Sequence, residues 1–431
     1  MIDLRLLEKD FPAVSAQLSL RGVPRDQLER LVGLLDQRRR QVGERDDLRA
    51  YINSASKAIG QLMAAKQLVE ADTKKQEVKD KKEALLHLED TLRTLEEQIH
   101  QQHLELPNLP APEAPRGTSE QDNVILRTHG YDPANYTQPY RPHWELAEQW
   151  GLLDLPRAAK TTGAMFTFYR GQGAKLIRAL VHLGLSLNSE RYTELIPPHF
   201  VRTETLTATG QLPKFAEDAY HLPADDLWAI PTAEVPLTSY YRDEILEFDQ
   251  MPQCFMAYSV CFRREAGSAG KDTRGLQRLH EFHKVELLKF VRPEQALDEH
   301  QAMLGDVERM LQVLGLPYRV LDLCTGDLGN SAARTFDLEV YAPGVGRWLE
   351  VSSVSHFSDY QCRRGNVRYR DSQGKPQFAH TLNGSGLATP RIWAALIEQG
   401  QQPDGTILLP EILHEFMGTN RMGGDESCRR F

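Results

Sequence analysis

Long apolar runs are missing from this 431-residue chain. The longest stretch without Asp, Glu, Lys or Arg, residues 376–390, still holds Gln, His, Asn and Thr, and no segment reaches the ~18 apolar residues of a membrane span. Cysteine is scarce. The five cysteines, at 254, 261, 324, 362 and 428, contain no C-x-x-C pair, which predicts free thiols in a reducing compartment and no cysteine zinc site. No G-x-x-x-x-G-K-[ST] occurs, so a P-loop is unsupported. The opening Met1-Ile2-Asp3-Leu4-Arg5 carries charge where a secretory signal needs an apolar core, so no such signal is expected. An excess of positive charge is also lacking. With 51 Lys plus Arg against 60 Asp plus Glu, the net charge is -9, which argues against indiscriminate nucleic-acid binding but leaves room for local basic patches. What remains, 41% hydrophobic and 26% charged residues, is ordinary globular chain. Its length suits two or three domains at roughly 150 residues each.

Proline is absent from about residue 26 to 104, a segment rich in Leu, Gln, Lys, Arg and Glu. Leu28, Leu31, Leu35, Val42, Ile52, Ile59 and Met63 follow a three-four spacing, and Val78, Leu85, Leu88, Leu92, Leu95 and Ile99 form a second series. The pattern predicts two long helices, with a turn near 64–74, folded into an antiparallel hairpin. At ~1.5 Å per residue such an arm outreaches a small domain. A dimerising coiled coil and a lever for a large partner both fit. Residues 1–110 hold 18 basic and 19 acidic side chains, yet Arg38, Arg39 and Arg40 cluster on one turn, and Lys74, Lys75, Lys79, Lys81 and Lys82 open the second helix. Such runs are usually solvated faces, but on an arm they can also meet phosphates. Four prolines within 104–118 then predict a stiff connector. The expected layout is an N-terminal domain at 1–106, a linker at 107–120 and a second domain at 121–431.

Beyond residue 120 aromatics, glycines and β-branched residues alternate with helical segments, and all five tryptophans lie here. A helix is expected at 171–187. Strands are expected at 255–263, 276–288, 335–341, 347–353 and 378–383, the last running into a helix after 391. This is an α+β pattern built on an antiparallel sheet. The loop from Ala266 to Gly275, with three glycines, makes the first two strands a hairpin. Side chains on a strand alternate between faces. Cys261, Arg263 and Glu265 therefore share one face, and Arg278, His280, Phe282, Lys284 and Glu286 share one parity on the return strand. Such a face is either a structural ion-pair network or a site for a planar anion. Arginine forks suit phosphate, a ring suits a base, and a carboxylate accepts from an amine or hydroxyl.

The hairpin residues are specific. Phe262-Arg263-Arg264-Glu265-Ala266-Gly267-Ser268, Gly270-Lys271-Asp272-Thr273-Arg274-Gly275-Leu276, Arg278-Leu279-His280-Glu281-Phe282 and Lys284-Val285-Glu286 closely resemble motif 2 of seryl-tRNA synthetases, which are class II aminoacyl-tRNA synthetases. Ile196-Pro197-Pro198-His199 resembles motif 1, and Arg391 stands at the motif 3 arginine. Thr209 to Phe215, Thr232 to Thr238, Glu350 to Ser355 and Thr381 to Ala388 are similar to further family stretches, as is Asn53 with Ser56-Lys57 and Ile59-Gly60 in the arm. The likeness runs through nearly the whole chain, to the bacterial type with a helical arm and not the zinc-dependent archaeal type.

The resemblance implies an N-terminal antiparallel coiled-coil arm that grips tRNA, and a class II catalytic domain on an antiparallel sheet flanked by helices. It implies ATP-dependent activation of L-serine to seryl-adenylate and transfer to tRNA(Ser), and to tRNA(Sec) where present, by a cytoplasmic homodimer with Mg2+. No DNA or membrane partner is implied. Arg263, Arg391 and Glu350 would be catalytic. Thr232, Glu234, Arg263, Glu286, Asn383 and Ser385 would bind serine. Arg263, Arg264, Glu265, Phe282, Glu350, Val351, Ser352, Ser353 and Arg391 would bind ATP, with Glu350 and Ser353 holding the metal. Arg38, Arg39 and Arg40 would meet tRNA. Arg264, Glu281 and His283 depart from the family's usual residues, and parity turns all three away from the substrate face. Pro390, directly before Arg391, threatens entry into the motif 3 helix. Rival readings are a specialised duplicate for a biosynthetic or inhibitor-resistance role, a non-catalytic tRNA-binding relative, and an amino acid–carrier-protein ligase.

Overall fold

The computed structural model describes residues 1–267 and 273–424. Ser268, Gly270, Lys271 and Asp272 of the hairpin loop, and Cys428, lie outside the described residues. The chain divides into two compact units, Asp3–Leu106 and Met1–Ile2 with Pro107–Phe431.

In the first unit two long helices, α1 (Arg25–Ala64) and α2 (Leu68–Glu105), run antiparallel. Leu28, Leu31, Leu35 and Ile52 of the first apolar series are buried, as are Val78, Leu92, Leu95 and Ile99 of the second. Val42, Ile59, Leu85 and Leu88 are half-buried, and Met63, near the tip, is exposed. Ala55 and Ala71 pack between the helices, which is how small residues let two backbones approach. The turn is tighter than the expected 64–74. It takes only residues 65–67, with Lys66 at φ 61.

In the second unit the proline-rich segment is extended but docked. The Asn108 N–H donates to the Asn330 carbonyl at 2.8 Å and that of Ala111 to Ala333 at 2.8 Å. The Asn108 amide also donates to the Phe357 carbonyl at 2.7 Å.

The body of this unit is an eight-stranded sheet. In chain order its strands are β1 (Val124–His129), β2 (Thr193–Glu194), β3 (Gln253–Phe262), β4 (Glu281–Val291), β5 (Tyr318–Asp322), β6 (Arg334–Ala342), β7 (Arg347–His356) and β8 (His380–Ala388). The spatial order is β1-β5-β6-β7-β8-β4-β3-β2, antiparallel except for β2 along β3. Three helices cover one face: α3 (Gln172–Asn188), α4 (Ala296–Val313) and α5 (Thr389–Gln399). Leu176, Leu180, Leu183, Met303, Leu304, Val307, Trp393 and Leu396 meet Val285, Leu287, Phe336, Leu338, Val354 and Leu382 of the sheet in one core. Each fully buried side chain of this kind stabilises by about 1.5–3 kcal/mol.

Two details differ from expectation. The return strand starts at Glu281, not 276, because residues 276–280 bend before joining the sheet. The outgoing strand ends at Phe262 and Glu265 has φ 50, so the alternation does not extend to Glu265. The Pro390 difficulty dissolves. Proline sits in the first turn of α5, where its missing N–H would be unpaired anyway. One irregularity matters later: β4 pairs with β8 through Val285↔Leu387 and then Glu286↔Ser385, leaving Gly386 as a bulge residue.

Candidate active site

The sheet face away from the helices forms a cavity of about 1080 Å3. The strand period explains its lining. Phe282, Lys284 and Glu286 on β4, Asp337 and Glu339 on β6, Ser353 and Ser355 on β7, and Asn383 and Ser385 on β8 all face it. Their alternates Val285, Leu287, Phe336, Leu338, Val354 and Leu382 face the core. Thus β4, β6 and β8 give one parity to stability and the other to chemistry, while β7, whose register with β6 shifts between Ser352 and Glu350, presents consecutive residues to the cavity.

At one end Glu286 is 1% exposed. Thr232 Oγ1 donates to its Oε2 at 2.6 Å, and the Lys284 ammonium, itself buried, bonds the same oxygen. Both partners end on Oε2, so Oε1 is left to accept from a ligand. Glu234 lies beside it and is 7% exposed. Burial, and next the Glu286 carboxylate, push its pKa up to about 7, while a hydrogen bond from Gln361 opposes the shift. Ser385 pairs in register with Glu286, and Asn383, two residues before it on β8, also lines the cavity. The Ser352 hydroxyl ties the strands by donating to the Ser385 carbonyl at 2.9 Å. Two carboxylates with separate partners suit a small ligand bearing both an ammonium and a hydroxyl.

The other end is cationic. Arg263 lies with its guanidinium carbon 5.0 Å from the Phe282 ring centroid, and its Nε donates to the Pro231 carbonyl at 3.4 Å. Arg391 donates through Nη1 to the Glu350 carbonyl at 2.7 Å and through Nε to Gln277 at 3.3 Å. Arg278 Nη1 donates to Glu265 Oε2 at 2.7 Å, which braces Glu265 at the cavity wall. Two guanidinium groups, a ring and a braced carboxylate can take the phosphates and base of a nucleotide.

Asp337 is a residue that sequence reasoning passed over. It pairs in register with Ser353, and its Oδ1 is shut from solvent with no hydrogen-bond partner. Burial foremost, then the Glu350 carboxylate, raise its pKa well above the usual carboxylate range, and the Ser353 hydroxyl opposes this. Two carboxylates and a hydroxyl, one oxygen of them orphaned, fit a magnesium ion that keeps further positions for phosphate oxygens. Among the described residues no cluster of three His, Cys, Asp or Glu could hold a metal by itself, so the phosphates would complete the shell.

The cavity thus gathers Thr232, Glu234, Arg263, Glu265, Phe282, Glu286, Glu350, Val351, Ser352, Ser353, Asn383, Ser385 and Arg391. Arg264 stays outside. It is exposed, and its N–H donates to the Asp218 carbonyl at 2.8 Å. Glu281 and His283 also lie outside the lining, and His283 Nδ1 is 2.7 Å from the Tyr258 hydroxyl. Arg38, Arg39 and Arg40 belong to the other unit. Arg38 Nε donates to Glu96 at 3.0 Å, Arg39 pairs with Glu8, and Arg40 is exposed.

The chain matches two family models. One, described as seryl-tRNA synthetase N-terminal domain, covers residues 1–110. The other, described as tRNA synthetase class II core domain (G, H, P, S and T), covers residues 220–400. A serine–tRNA ligase of Geobacillus kaustophilus is 45% identical over 97% of this chain and 99% of its own. That of Geobacter sulfurreducens is 46% identical with the same coverage. Among solved structures, seryl-tRNA synthetase from Pyrococcus horikoshii complexed with ATP superposes with a TM-score of 0.90 at 33% identity, over 98% of this chain and 99% of that one.

Proposed function

The chain belongs to the seryl-tRNA synthetase family, and on that premise we propose that the cavity around Arg263, Glu286 and Arg391 is where L-serine and ATP react. The protein is an ATP-dependent serine–tRNA ligase. It joins L-serine to ATP as seryl-adenylate with release of pyrophosphate, then transfers the seryl group to tRNA(Ser).

Glu286 Oε1 accepts the serine hydroxyl, Glu234 takes the ammonium, and Thr232, Asn383 and Ser385 close the pocket. Arg263 faces the carboxylate and the α-phosphate together. The first step brings two anions into contact, so charge neutralisation and alignment carry most of the acceleration. Arg391 takes the far phosphate, Phe282 offers its ring to adenine, and Glu265 accepts from the adenine amine. Asp337, Glu350 and Ser353 would hold Mg2+, which when bound neutralises phosphate charge. No protein nucleophile is needed, because the carboxylate of serine attacks phosphorus itself.

The observation that carries this reading is Glu286: a buried carboxylate with one oxygen saturated by Thr232 and Lys284, in the same cavity as Arg263. Alanine would leave Oε1 unpaired in a dry site, and threonine brings an extra methyl group. Polar sites of this kind discriminate by up to ~10⁴-fold. Charging of purified tRNA(Ser) with labelled serine, threonine, alanine and cysteine tests it. Serine alone is charged. Equal charging of alanine overturns the assignment.

We read residues 1–106 as the tRNA-gripping domain, 107–120 as its connector and 121–431 as the catalytic domain. The break between compact units at Leu106 and Pro107 supports this division. Arg38, Arg39 and Arg40 then face tRNA backbone, with Arg40 the one outside the arm's own ion pairs. Such a contact reads shape and phosphates, not bases. Ile196, 89% exposed in the motif 1 stretch, supports a homodimer. No helix of the described residues is long and apolar enough to cross a membrane, and a cytoplasmic location agrees with that and with the thiols Cys254, Cys261, Cys324 and Cys362. Full-length identity near 45% to serine–tRNA ligases weighs against the duplicate and non-catalytic alternatives.

A further inference from the structure

Gln361 stands on a short helix, Tyr360–Gly365, and is 0% exposed. Its Nε2 donates to Glu234 Oε1 at 2.7 Å and to the Thr209 carbonyl at 3.1 Å, while its Oε1 accepts from Thr381 Oγ1 at 2.6 Å. Thr381 is itself 0% exposed and lies on β8, two residues before Asn383. Both amide hydrogens and the carbonyl oxygen are therefore engaged. The Glu234 carboxylate and the Thr209 carbonyl only accept, so they require the nitrogen end of the amide, and the Thr381 hydroxyl pins the oxygen end by donating to it.

We propose that Gln361 is a positioning residue for amino-acid recognition, holding Glu234 ionised and aimed into the cavity so that the carboxylate meets the substrate ammonium. The inference rests on the serine-binding reading of this cavity. It assigns part of that binding to a residue that does not line the cavity at all.

The electrostatics give the amide its importance. The charged groups facing Glu234 are Glu286 and Lys284 on β4 and Arg263 just past the end of β3. Glu286 works against a second negative charge. Lys284 already bonds Glu286, and Arg263 lies over Phe282. The amide of Gln361 is the group that bonds the Glu234 carboxylate directly. A hydrogen bond to the charged form favours it. Without that bond, burial and Glu286 act with less opposition, and Glu234 holds its proton to higher pH. A protonated Glu234 has no charge for an ammonium. Affinity then falls in proportion to the fraction of enzyme still ionised. One pH unit of upward displacement raises the serine KM about tenfold at pH values below the transition.

Gln361→Met keeps the size of the side chain and removes both donors. Serine- and ATP-dependence of pyrophosphate exchange are measured from pH 6.5 to 9 with the full-length enzyme and with the variant. The expected result is a serine KM raised about fivefold or more at pH 7, recovering most of the difference by pH 9, with the ATP KM within about twofold of wild type. A serine KM raised equally at every pH, or matched by the ATP KM, overturns the proposal, since a merely structural loss behaves so. Thr381→Val provides a second route, because it removes the bond that pins the amide oxygen and so loosens the amide without touching Glu234. The same pH-dependent serine effect is expected, smaller by about threefold, and its absence also overturns the proposal. A wild-type enzyme without serine-stimulated exchange removes the underlying reading and the inference with it. A serine-stimulated wild type whose variants keep its serine KM removes the inference alone.

Discussion

Thr232 Oγ1 lies 2.6 Å from Glu286 Oε2, and both residues are buried. The threonine hydroxyl can give only one proton, so this bond orients the carboxylate and leaves its other oxygen for the ligand. Glu286→Gln keeps the shape but replaces an acceptor with a donor. The expected result is a fall of about 10²-fold or more in kcat/KM for serine in pyrophosphate exchange, with the ATP KM little changed. The same variant leaves the Lys284 ammonium without its anion, so its thermal midpoint drops as well. Wild-type serine kinetics in Glu286→Gln would refute the pocket assignment.

Asp337 holds an orphaned oxygen, pairs in register with Ser353 and feels the Glu350 carboxylate. If that oxygen serves Mg2+, Asp337→Ala raises the Mg2+ concentration for half-maximal exchange by about tenfold, equivalent to ~1.4 kcal/mol. Titration of activity with Mg2+ at fixed ATP reads this directly. An unchanged Mg2+ dependence assigns Asp337 to structure only.

Gly275 carries a backbone that tolerates no side chain. Its φ is +60, and a Cβ there would stand 2.3 Å from His143 Nε2. That nitrogen accepts from the Leu276 N–H at 3.0 Å, while the other ring nitrogen is 2.8 Å from Glu398 Oε1. One ring nitrogen thus holds the loop backbone while the other faces the buried Glu398 carboxylate. Gly275→Ala should cost about 2 kcal/mol or more and weaken ATP binding, because Gln277 and Arg278 follow in the cavity wall. A thermal melt together with the ATP KM checks both effects.

Acid should destabilise the catalytic unit through its buried histidines. Burial above all draws His300 down to about 4 and His356 to about 3. His356 Nε2 is 3.2 Å from His380 Nδ1. Both folded values lie below the ~6.5 of an unfolded histidine. The unfolded chain therefore binds more protons below that pH. The stabilisation is complete above about pH 6.5 and is lost as pH falls toward 4 and 3. His356→Leu should lose less thermal stability than wild type between pH 8 and pH 5, as melts at the two pH values will report. Equal losses would show that other groups govern the acid limb.

Removing residues 30–100 takes away most of α1 and α2. Charging of tRNA(Ser) is expected to vanish, while serine-dependent pyrophosphate exchange stays within about twofold, since no arm residue lines the cavity. Unimpaired charging by the truncated protein would deny the arm its role.

Much of this site was legible because strand parity is a local property. Phe282, Lys284 and Glu286 share a face in the sequence and in the structure. Parity failed at Glu265, which lies past the strand end at Phe262 with φ 50, and an ion pair to Arg278, not pleating, aims the side chain. Asp337 carried a weak signal, as a carboxylate on a strand whose neighbours Phe336 and Leu338 are core. Gln361 carried none. It meets Glu234 across 127 residues, through a helix packed behind the pocket, and no periodicity reports such a meeting. In the arm the seam was plain, but the tip was not. A turn of three residues follows from αL geometry at Lys66, a residue type that does not advertise it.

The bulge at Gly386 has a consequence for anyone wishing to re-engineer the pocket for a bulkier amino acid. Opposite Glu286 the sheet carries a surplus residue, and a Cβ on Gly386 would meet Leu287 at 3.1 Å. The spacing between Glu286 and Ser385 is thus fixed by main chain, with apolar packing pressed against its back. Trimming side chains cannot widen it much. Retuning this enzyme for a larger monomer would mean re-threading two neighbouring strands, a redesign of skeleton instead of a swap of lining.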